Sequence, residues 1–397
     1  MTFQSGRNIL VGYKVESVFG TLAGASSADV LRVNGGGLSL TKQPINSNEN
    51  RRDGQRTRGR HGSRNVAGQY SGDISLGTYD DLIEAVFRGT FTSELTITEA
   101  TASLTSITTG ANTIVAGGGS WITAGLAVGD VIRLTGHSSA ANNSRNLRIT
   151  GLTTSTITVA ETLTVNAVAD TAFTVTRPKK LLMGTTARSF TIEESELDID
   201  GSEVFKGCRF GSLQIQLQPN GMGILTFGVV GQDMEIMTGG SSPYFSNPSV
   251  TTSIGMTAVE AVLRVGTADV VDLTSLDITI NLNASGQPVV ASNLTPEVFT
   301  NLAIVEGSFT ALKSDTTRQA AFLAETEMSL HLMFTENESE PKDFCSFFIG
   351  NLTLAGGSKS DIGQDNGRTQ TFQLLTGKDE RGGAYDATTM KFQTSAA

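Results

Sequence analysis

The sequence is poor in the residue types that build disulfide frameworks, metal sites and catalytic centres. Its 397 residues include 2 cysteines, 3 histidines, 1 tryptophan and 8 prolines. Cys208 and Cys345 do not make a disulfide framework, and we expect both to be buried thiols in a reducing compartment. No apolar run reaches the roughly 18 residues of a membrane span, so no transmembrane helix is expected. The N-terminal segment lacks the apolar core of a signal peptide, so none is expected.

No pattern of catalytic or ligating residues is present either. His61, His137 and His331 lie in three different segments, and HExxH, CxxC, Walker and GxSxG motifs are absent. The acidic string EESELDID (193–200) lacks the spacing and central glycine of a calcium-binding loop, which favours a solvated or lumen-lining loop. We therefore predict no catalytic residue, no cofactor, no metal ligand and no enzymatic activity.

Negative charge dominates the chain outside one basic segment. The formal net charge is −10, which disfavours a general nucleic-acid binder that neutralises phosphates. Residues 49–64 carry a charge of +4, which leaves −14 on the remainder, and their arginines are Arg51, Arg52, Arg56, Arg58, Arg60 and Arg64. We predict that these arginines dock onto the acidic surface of an identical neighbour. A mobile solvated loop is one alternative, and nucleic-acid contact, for which interleaved aromatic residues are lacking, is the other.

Alternation of apolar and polar residues predicts a mainly β fold. In 213–218 the apolar residues share one face and three glutamines the other, and 276–282 alternate in the same way. The stretch TYDDLIEAVFRG (78–89) predicts a helix, with Thr78 and Asp81 as a capping box and Gly89 at its end. A shorter counterpart is predicted at 317–325.

Residues 92–176 differ in composition from the segments on either side. Twenty of these 85 residues are threonine and eight are charged, in short alternating runs separated by turns. This pattern predicts a separate small β-barrel or sandwich inserted between the helix and the strand at 189. Its two ends should lie close together in space.

Two stretches of the chain repeat one pattern. The first contains VAGQYSGDISL (66–76) and FGSLQIQLQPNG (210–221), and the second contains VEGSFTALKSD (305–315) and IGNLTLAGGS (349–358). The matched glycines are Gly68 with Gly307, Gly211 with Gly350, and Gly231 with Gly377. The repeat predicts a discontinuous first unit at 1–91 and 177–245, the inserted domain at 92–176, and a second unit at 246–397.

Two motifs carry a resemblance to a known family. The segment GYKVESVFGTLA (12–23) resembles the K-E-x-x-x-G-T opening of tail tube proteins from phages with long non-contractile tails. The segment FKGCRFGSLQIQLQPNGMGILTFGVVGQD (205–233) resembles the central signature of the same proteins, in which a G-x-x-x-x-S-L strand, an N-G turn and a second strand follow one another. The likeness spans the chain apart from 92–176.

The resemblance implies two tandem tail-tube-type β-sandwich or barrel units, each with a flanking helix. It implies a virion structural protein, assembled in the host cytoplasm, whose stacked rings form the conduit for DNA ejection without specific DNA binding or membrane contact. Since six units normally make a ring, we expect a homotrimer with pseudo-sixfold symmetry, with a homohexamer as the alternative. Tail terminator, distal tail and tape-measure proteins are the implied partners.

Other phage structural proteins remain alternatives at this stage. A tail terminator, a capsid decoration protein and an adhesin module are also rich in β-structure. A bacterial surface β-sandwich is disfavoured because no signal sequence is visible, and an enzyme is the least favoured class.

Overall fold

The computed structural model describes residues 3–336, 339–363 and 367–396 and is built mainly of antiparallel strands. The first elements are β1 (Ile9–Val15), β2 (Asp29–Val30), β3 (Gly35–Ile45), β4 (Arg60–Asp73) and helix α1 (Asp80–Phe87). There follow β5 (Leu95–Thr98), β6 (Ile107–Thr109), β7 (Thr113–Ala116), β8 (Val131–Thr135), β9 (Leu147–Leu152), β10 (Thr156–Val159), β11 (Asn166–Asp170) and β12 (Thr174–Arg177).

Most of the remaining strands belong to the largest sheet. They are β13 (Lys180–Leu182), β14 (Phe190–Glu196), β15 (Gly201–Leu217), β16 (Ile224–Gly231), β17 (Asp233–Thr238), β18 (Val262–Val265), β19 (Ala268–Asp269) and β20 (Leu273–Asn281). After these come β21 (Ser285–Gly286), β22 (Val298–Phe299), β23 (Ile304–Leu312), helix α2 (Thr317–Leu323), β24 (Met328–Thr335), β25 (Phe344–Lys359), β26 (Thr369–Gly377) and β27 (Lys391–Thr394). The mainly β fold class predicted from alternation is confirmed.

The order of strand pairing in the first half of the chain recurs in the second half. The first series runs β2-β1-β14-β15-β16-β4-β3, and the second runs β19-β18-β24-β25-β26-β23-β20. Each series has one further strand: β17 lies beside the first part of β15, and β27 lies beside the first part of β25. Helices α1 and α2 follow the corresponding strands β4 and β23.

Bulges at equivalent places fix the register between the two series. The pairing of β15 with β16 shifts at Gly211, and that of β25 with β26 shifts at Ala355. The row of paired residues next to each bulge continues across the sheet to a glycine of the following strand, which is Gly68 in β4 or Gly307 in β23. The predicted match of these two glycines is therefore confirmed. The same rows correct the other matches: Gly211 corresponds to Ala355, not Gly350, and Gly231 to Thr376, not Gly377.

Gly68 and Gly307 are required by the close approach of the neighbouring strand. A Cβ atom on Gly68 would collide with the carbonyl oxygen of Gly37 in β3. A Cβ atom on Gly307 would lie 2.8 Å from the carbonyl oxygen of Asp277 in β20. At both positions, therefore, the neighbouring strand is too close for a Cβ atom, and glycine is required. Gly350 and Gly377 are not matched by a glycine in the first series.

Helix α1 forms where the apolar stripe predicted it, but its ends differ from the prediction. The predicted capping box is wrong, because the Thr78 hydroxyl bonds Ser75 Oγ (2.8 Å) and Thr251 Oγ1 (2.7 Å) and no side chain caps the helix. The helix ends at Phe87, and the residue that follows in the left-handed region is Arg88, with a φ of 52°, and not the predicted Gly89. Leu82, Val86 and their neighbours are buried against the sheet. Helix α2 begins at the predicted residue and ends two residues earlier.

Strands β5–β12 form a separate sheet with a hydrophobic core of its own. Their order is β11-β6-β7-β10-β9-β8-β12-β5. Trp121 and Phe173 are buried in this core, with their rings 6.2 Å apart. The chain enters and leaves beside the isolated bridge between Thr92 and Lys180, so the two ends of the segment are adjacent in space. We refer to residues 92–176 as the inserted segment.

A buried charge cluster joins the inserted segment to both halves of the large sheet. Asp130 of the inserted segment, fully buried, lies 2.7 Å from Lys391 Nζ and 3.3 Å from Lys180 Nζ. Asp386 completes the cluster, 2.8 Å from Lys391 and 2.9 Å from Lys180. Two anions and two cations compensate one another, which is a condition for burying them together. The inserted segment is therefore docked on the body of the protein.

Backbone contacts fix the orientation of this docking. The Gln393 side chain accepts a hydrogen bond from the Val131 amide (2.8 Å) and donates one to the Val131 carbonyl (2.6 Å). Gly129 has a φ of 84°, and a Cβ atom there would collide with the Phe348 ring. A side chain at this position would therefore both strain the backbone and separate the two surfaces.

We predict that Asp130→Asn destabilises the protein by about 3 kcal/mol, because it leaves two buried ammonium groups with one carboxylate. The free energy of unfolding from urea titration measures this loss. Asp53→Asn is the matched control, since Asp53 is exposed and forms an exposed ion pair with Arg51, 3.0 Å away, and it should change stability by less than about 1 kcal/mol. Equal effects of the two substitutions would contradict the role of the cluster.

The cluster also predicts a dependence on acid. Burial raises the pKa of Asp386, but Lys391 and Lys180 outweigh burial and lower this pKa from 3.8 to about 2. A depressed carboxyl pKa stabilises the folded state above pH 3.8 and loses that effect as the pH falls towards 2. Between about pH 4.5 and pH 2, the wild-type protein should lose about 2 kcal/mol more stability than Asp386→Asn. Parallel pH profiles for the two proteins would show that Asp386 is not the group responsible.

Candidate assembly surface

Eight strands form a continuous ladder that combines both series. Its order is β3-β4-β16-β15-β20-β23-β26-β25, and all seven junctions are antiparallel. Side chains alternate between its two faces, and one face supplies core residues such as Leu213, Ile215 and Ile278, which are fully buried. The predicted faces of 213–218 and 276–282 are confirmed.

The opposite face of this ladder is polar and carries small side chains. Its polar and glycine positions include Gly35, Gly37, Ser39, Thr41, Gln69, Ser71, Asp73, Ser212, Gln214, Gln216, Thr226, Gly228, Asp277, Thr279, Asn281, Glu306, Ser308, Thr310, Thr353, Ser358, Thr371 and Gln373. Ala67, Ile224, Val230, Ile304 and Leu375 are apolar exceptions. We call this surface the polar face.

Cross-strand hydrogen bonds tie the polar face together at the junction of the two series. Gln214 and Gln216 of β15 donate through Nε2 to Asp277 Oδ2 of β20, at 2.6 and 3.0 Å. Asp73, Asp277 and Glu306 are the three acids among the named positions of the polar face, and none of these positions is a lysine or an arginine. Arg209 marks the boundary, where its guanidinium is buried against Glu297 (2.6 Å) and the segment around β22. The polar face is therefore weakly acidic.

The two ends of the ladder lack partners within the described residues. Strand β3 pairs only with β4, so its other edge is open. Residues 353–359 of β25 pair only with β26, and their other edge is open as well. Open strand edges present unpaired backbone groups that favour pairing with another chain. These edges are the strongest candidates for self-assembly contacts.

A carboxylate satisfies one backbone group at the open edge of β3. Glu194 of β14 accepts hydrogen bonds through Oε1 from the Leu38 amide (2.8 Å) and from the Tyr70 hydroxyl (2.5 Å). Burial, together with Glu194, raises the pKa of Tyr70 far above its ordinary value, so the hydroxyl stays protonated and donates. Sequence reasoning missed this role, because the partner of Glu194 is remote in the chain.

The acidic string at 193–200 forms structural contacts, whereas a solvated or lumen-lining loop was predicted. Its first residues belong to strand β14, and Glu193 accepts hydrogen bonds from the amides of Tyr244 (2.6 Å) and Phe245 (2.8 Å). Asp198 accepts a hydrogen bond from the Ser5 amide (2.8 Å). The prediction of a loop is wrong for Glu193–Glu196, because internal amides provide the donors that water would otherwise supply.

The six arginines of the basic segment divide into two groups. The arginines lie in and beside the connection between β3, which extends to Ile45, and β4, which begins at Arg60. Arg64 is half-buried and pairs with Asp233 of its own chain (2.8 Å). The exposed arginines are Arg51, Arg52, Arg56, Arg58 and Arg60, and of these Arg51 pairs with Asp53.

The three histidines occupy separate parts of the fold. His331 of β24 is buried beside Ser346 Oγ (2.7 Å), and burial lowers its pKa well below the ordinary value. His137 lies in the inserted segment, 3.2 Å from Asp170, and His61 is exposed on β4. Among the described residues, no three histidine, cysteine or acidic side chains are grouped as a metal would require. Cys208 and Cys345 are both free and buried, as predicted.

Within the described ranges, no helix is long and apolar enough to cross a membrane. The sequence profile of the phage tail tube protein family matches residues 6–374. The chain belongs to this family. Comparison with curated proteins gave no match. Tail tube proteins are structural and non-enzymatic, so this chain is a structural component of a virion tail that self-assembles into a tube.

Membership in the tail tube family gives the open ladder a functional context. A protein that builds a tube needs surfaces that repeat from copy to copy, and unpaired strand edges at both ends of one sheet are such surfaces. The match extends across the inserted segment and most of the second series. Both series therefore lie within the region that belongs to the family.

Proposed function

We propose that three copies of this chain form one ring of the tail tube and that stacked rings form the conduit for DNA ejection in a phage with a long non-contractile tail. The observation that carries the proposal is the eight-strand ladder, which is open at both ends and has one polar face. Head-to-tail contacts between open edges generate a ring when the rotation closes. The same proposal places the protein in the virion as the major tail tube protein, assembled in the host cytoplasm.

The recurring pairing order supports the proposed stoichiometry. We propose that 1–91 with 177–245 forms one tube unit, that 246–397 forms the other, and that 92–176 is an inserted domain. Each unit contributes four strands to the ladder, so the two units of one chain occupy two successive places. Three chains then supply six places, whereas a homohexamer would supply twelve.

The polar face has the chemistry expected of a conduit for DNA. Its acids Asp73, Asp277 and Glu306 repel phosphate groups, and its hydroxyl and amide groups keep the surface wet. None of its named positions carries a lysine or arginine that would bind the DNA backbone. We propose that this face lines the lumen and lets DNA pass without specific binding.

The exposed arginines provide a contact between rings in this proposal. The hairpin of β3 and β4 extends the connection 46–59 beyond the ladder, with Arg52, Arg56 and Arg58 exposed on it. The rest of the chain is strongly acidic, so a neighbouring copy offers a complementary surface. Tail terminator, distal tail and tape-measure proteins are the further partners proposed for the ends and interior of the tube.

Electron microscopy of the purified protein tests the proposed function directly. We expect long hollow rods, with three chains of 41.7 kDa each per ring by mass measurement. Six full-length chains per ring would exclude the trimer but keep the tube. A protein that stays monomeric at every concentration, or forms only closed shells, would exclude the tube itself.

We predict that combining Arg56→Glu, Arg58→Glu and Arg60→Glu raises the concentration needed for rod formation about tenfold, because three attractive surface contacts become repulsive. The matched control applies the same charge change at Arg7, Lys313 and Lys378. Sedimentation of rods measures assembly, and thermal unfolding of the unassembled chain should be the same for all three proteins. If both triple variants weaken assembly equally, net charge and not this segment explains the effect.

A further inference from the structure

The chain contains one complete junction between its two strand series. At that junction β15 of the first series pairs with β20 of the second over six residue pairs. The pairs are Ser212–Asn281, Leu213–Ile280, Gln214–Thr279, Ile215–Ile278, Gln216–Asp277 and Leu217–Leu276. We call this contact the internal junction. If each series is one tube unit, as proposed above, this contact is a template for how one unit joins the next.

The two open edges are the counterparts of the strands that meet in the internal junction. Leu38 of β3 is paired with Gly68, and Ile278 of β20 is paired with Gly307. Because Gly68 and Gly307 are equivalent, Leu38 corresponds to Ile278. The end of β25 follows the bulge at Ala355, as the end of β15 follows the bulge at Gly211. Residues 356–360 therefore correspond to 212–216.

We propose that the open edge of β3 pairs with the open end of β25 in the next chain, in the register of the internal junction. The pairs in this external junction are Thr41–Gly356, Leu40–Gly357, Ser39–Ser358, Leu38–Lys359 and Gly37–Ser360. The inference rests on the proposed ring, but it specifies which edges meet and how they are aligned. The partner is a second copy of the same chain.

The burial of side chains agrees with a missing partner at both edges. In the internal junction, Leu213 and Ile280 are fully buried. Their counterparts Gly357 and Leu40 are exposed and half-buried. The glycines at 356 and 357 leave no side chain in the way of the approaching strand, and pairing would cover the apolar side of Leu40. Ser39 and Ser358 would continue the polar face from chain to chain.

Charge adds specificity to the external junction. Lys359 corresponds to Ile215 and would lie opposite Leu38, whose amide is held by the Glu194 carboxylate. Glu194 corresponds to Leu332, because Ile192 and Leu330 follow equivalent bulges in β14 and β24. In the external junction, Glu194 takes the place of Leu332 and Lys359 takes the place of Ile215. One edge therefore carries a carboxylate and the other an ammonium group. These opposite charges favour the head-to-tail contact over contact between identical edges.

Cysteine cross-linking between adjacent positions tests the register. Ser39→Cys with Ser358→Cys replaces two exposed hydroxyls with thiols that would be directly opposed in the external junction. The positive control, Gln214→Cys with Thr279→Cys, places thiols at the matching pair of the internal junction, within one chain. The off-register control is Ser39→Cys with Thr353→Cys, which displaces the second thiol along β25 by about 16 Å.

After assembly and mild oxidation, most Ser39→Cys, Ser358→Cys chains should run as covalent multimers on a denaturing gel. The positive control should stay at the mass of one chain with an internal disulfide, and fewer than about one tenth of off-register chains should cross-link. Mixing the two single variants should give covalent dimers and no larger species. The native cysteines are buried and do not compete.

The outcomes separate the register from the proposed function. If rods form and the positive control oxidises, but the serine pair stays monomeric, then the proposed junction is wrong and the tube stands. Efficient cross-linking of the off-register pair would also overturn the register. If the wild-type chain forms neither rings nor rods, the proposed function fails and the external junction fails with it.

Discussion

An antiparallel sheet leaves alternate backbone N–H and C=O groups of its outermost strands without partners, and this constraint governs the present fold. Most strands of the ladder are paired on both sides, including the second part of β15, which lies between β16 and β20. Only the outer edges of β3 and of residues 353–359 lack a strand among the described residues. At β3 the Glu194 carboxylate satisfies the Leu38 amide. An isolated chain is therefore a folded protein whose largest sheet is incomplete.

The inserted segment depends on the same duplicated framework but breaks its symmetry. It interrupts only the first series, yet its Asp130 is buried among Lys180, Lys391 and Asp386, of which the last two follow the second series. Removing one charge would leave the others uncompensated in a poorly solvated site. The cluster consequently ties the inserted segment and both series into one body.

Local patterns in the sequence predicted the strands and their faces, but not the contacts between remote residues. Alternation in 213–218 and 276–282 was sufficient to predict the two faces, because apolar residues at every second position of a strand share the buried face. Glycine matching failed at Gly350 and Gly377, because the counterpart of Gly211 at the second bulge is Ala355 and not a glycine, and bulges have no clear sequence signal. The charge cluster joins Asp130 to Lys391, and Glu194 bonds Leu38, across 261 and 156 positions of the chain, so no spacing rule could reveal these contacts. The cluster of arginines was evident from the composition of the segment. Only the structure distinguishes Arg64, which pairs with Asp233, from the exposed arginines.

The difference between the two kinds of junction follows from how each one forms. The internal junction joins parts of one chain at a high effective concentration, so packing of Leu213, Ile215 and Ile280 is enough to select it. An external junction must distinguish the correct edge of another chain from an identical edge and from unrelated strands. In the proposed external junction, the opposite charges of Glu194 and Lys359 would supply that distinction, whereas two apolar edges could also pair with identical edges. In the proposed ring, two units in one chain would halve the number of contacts that need such selection, and the charged pair would be confined to the edges where chains meet.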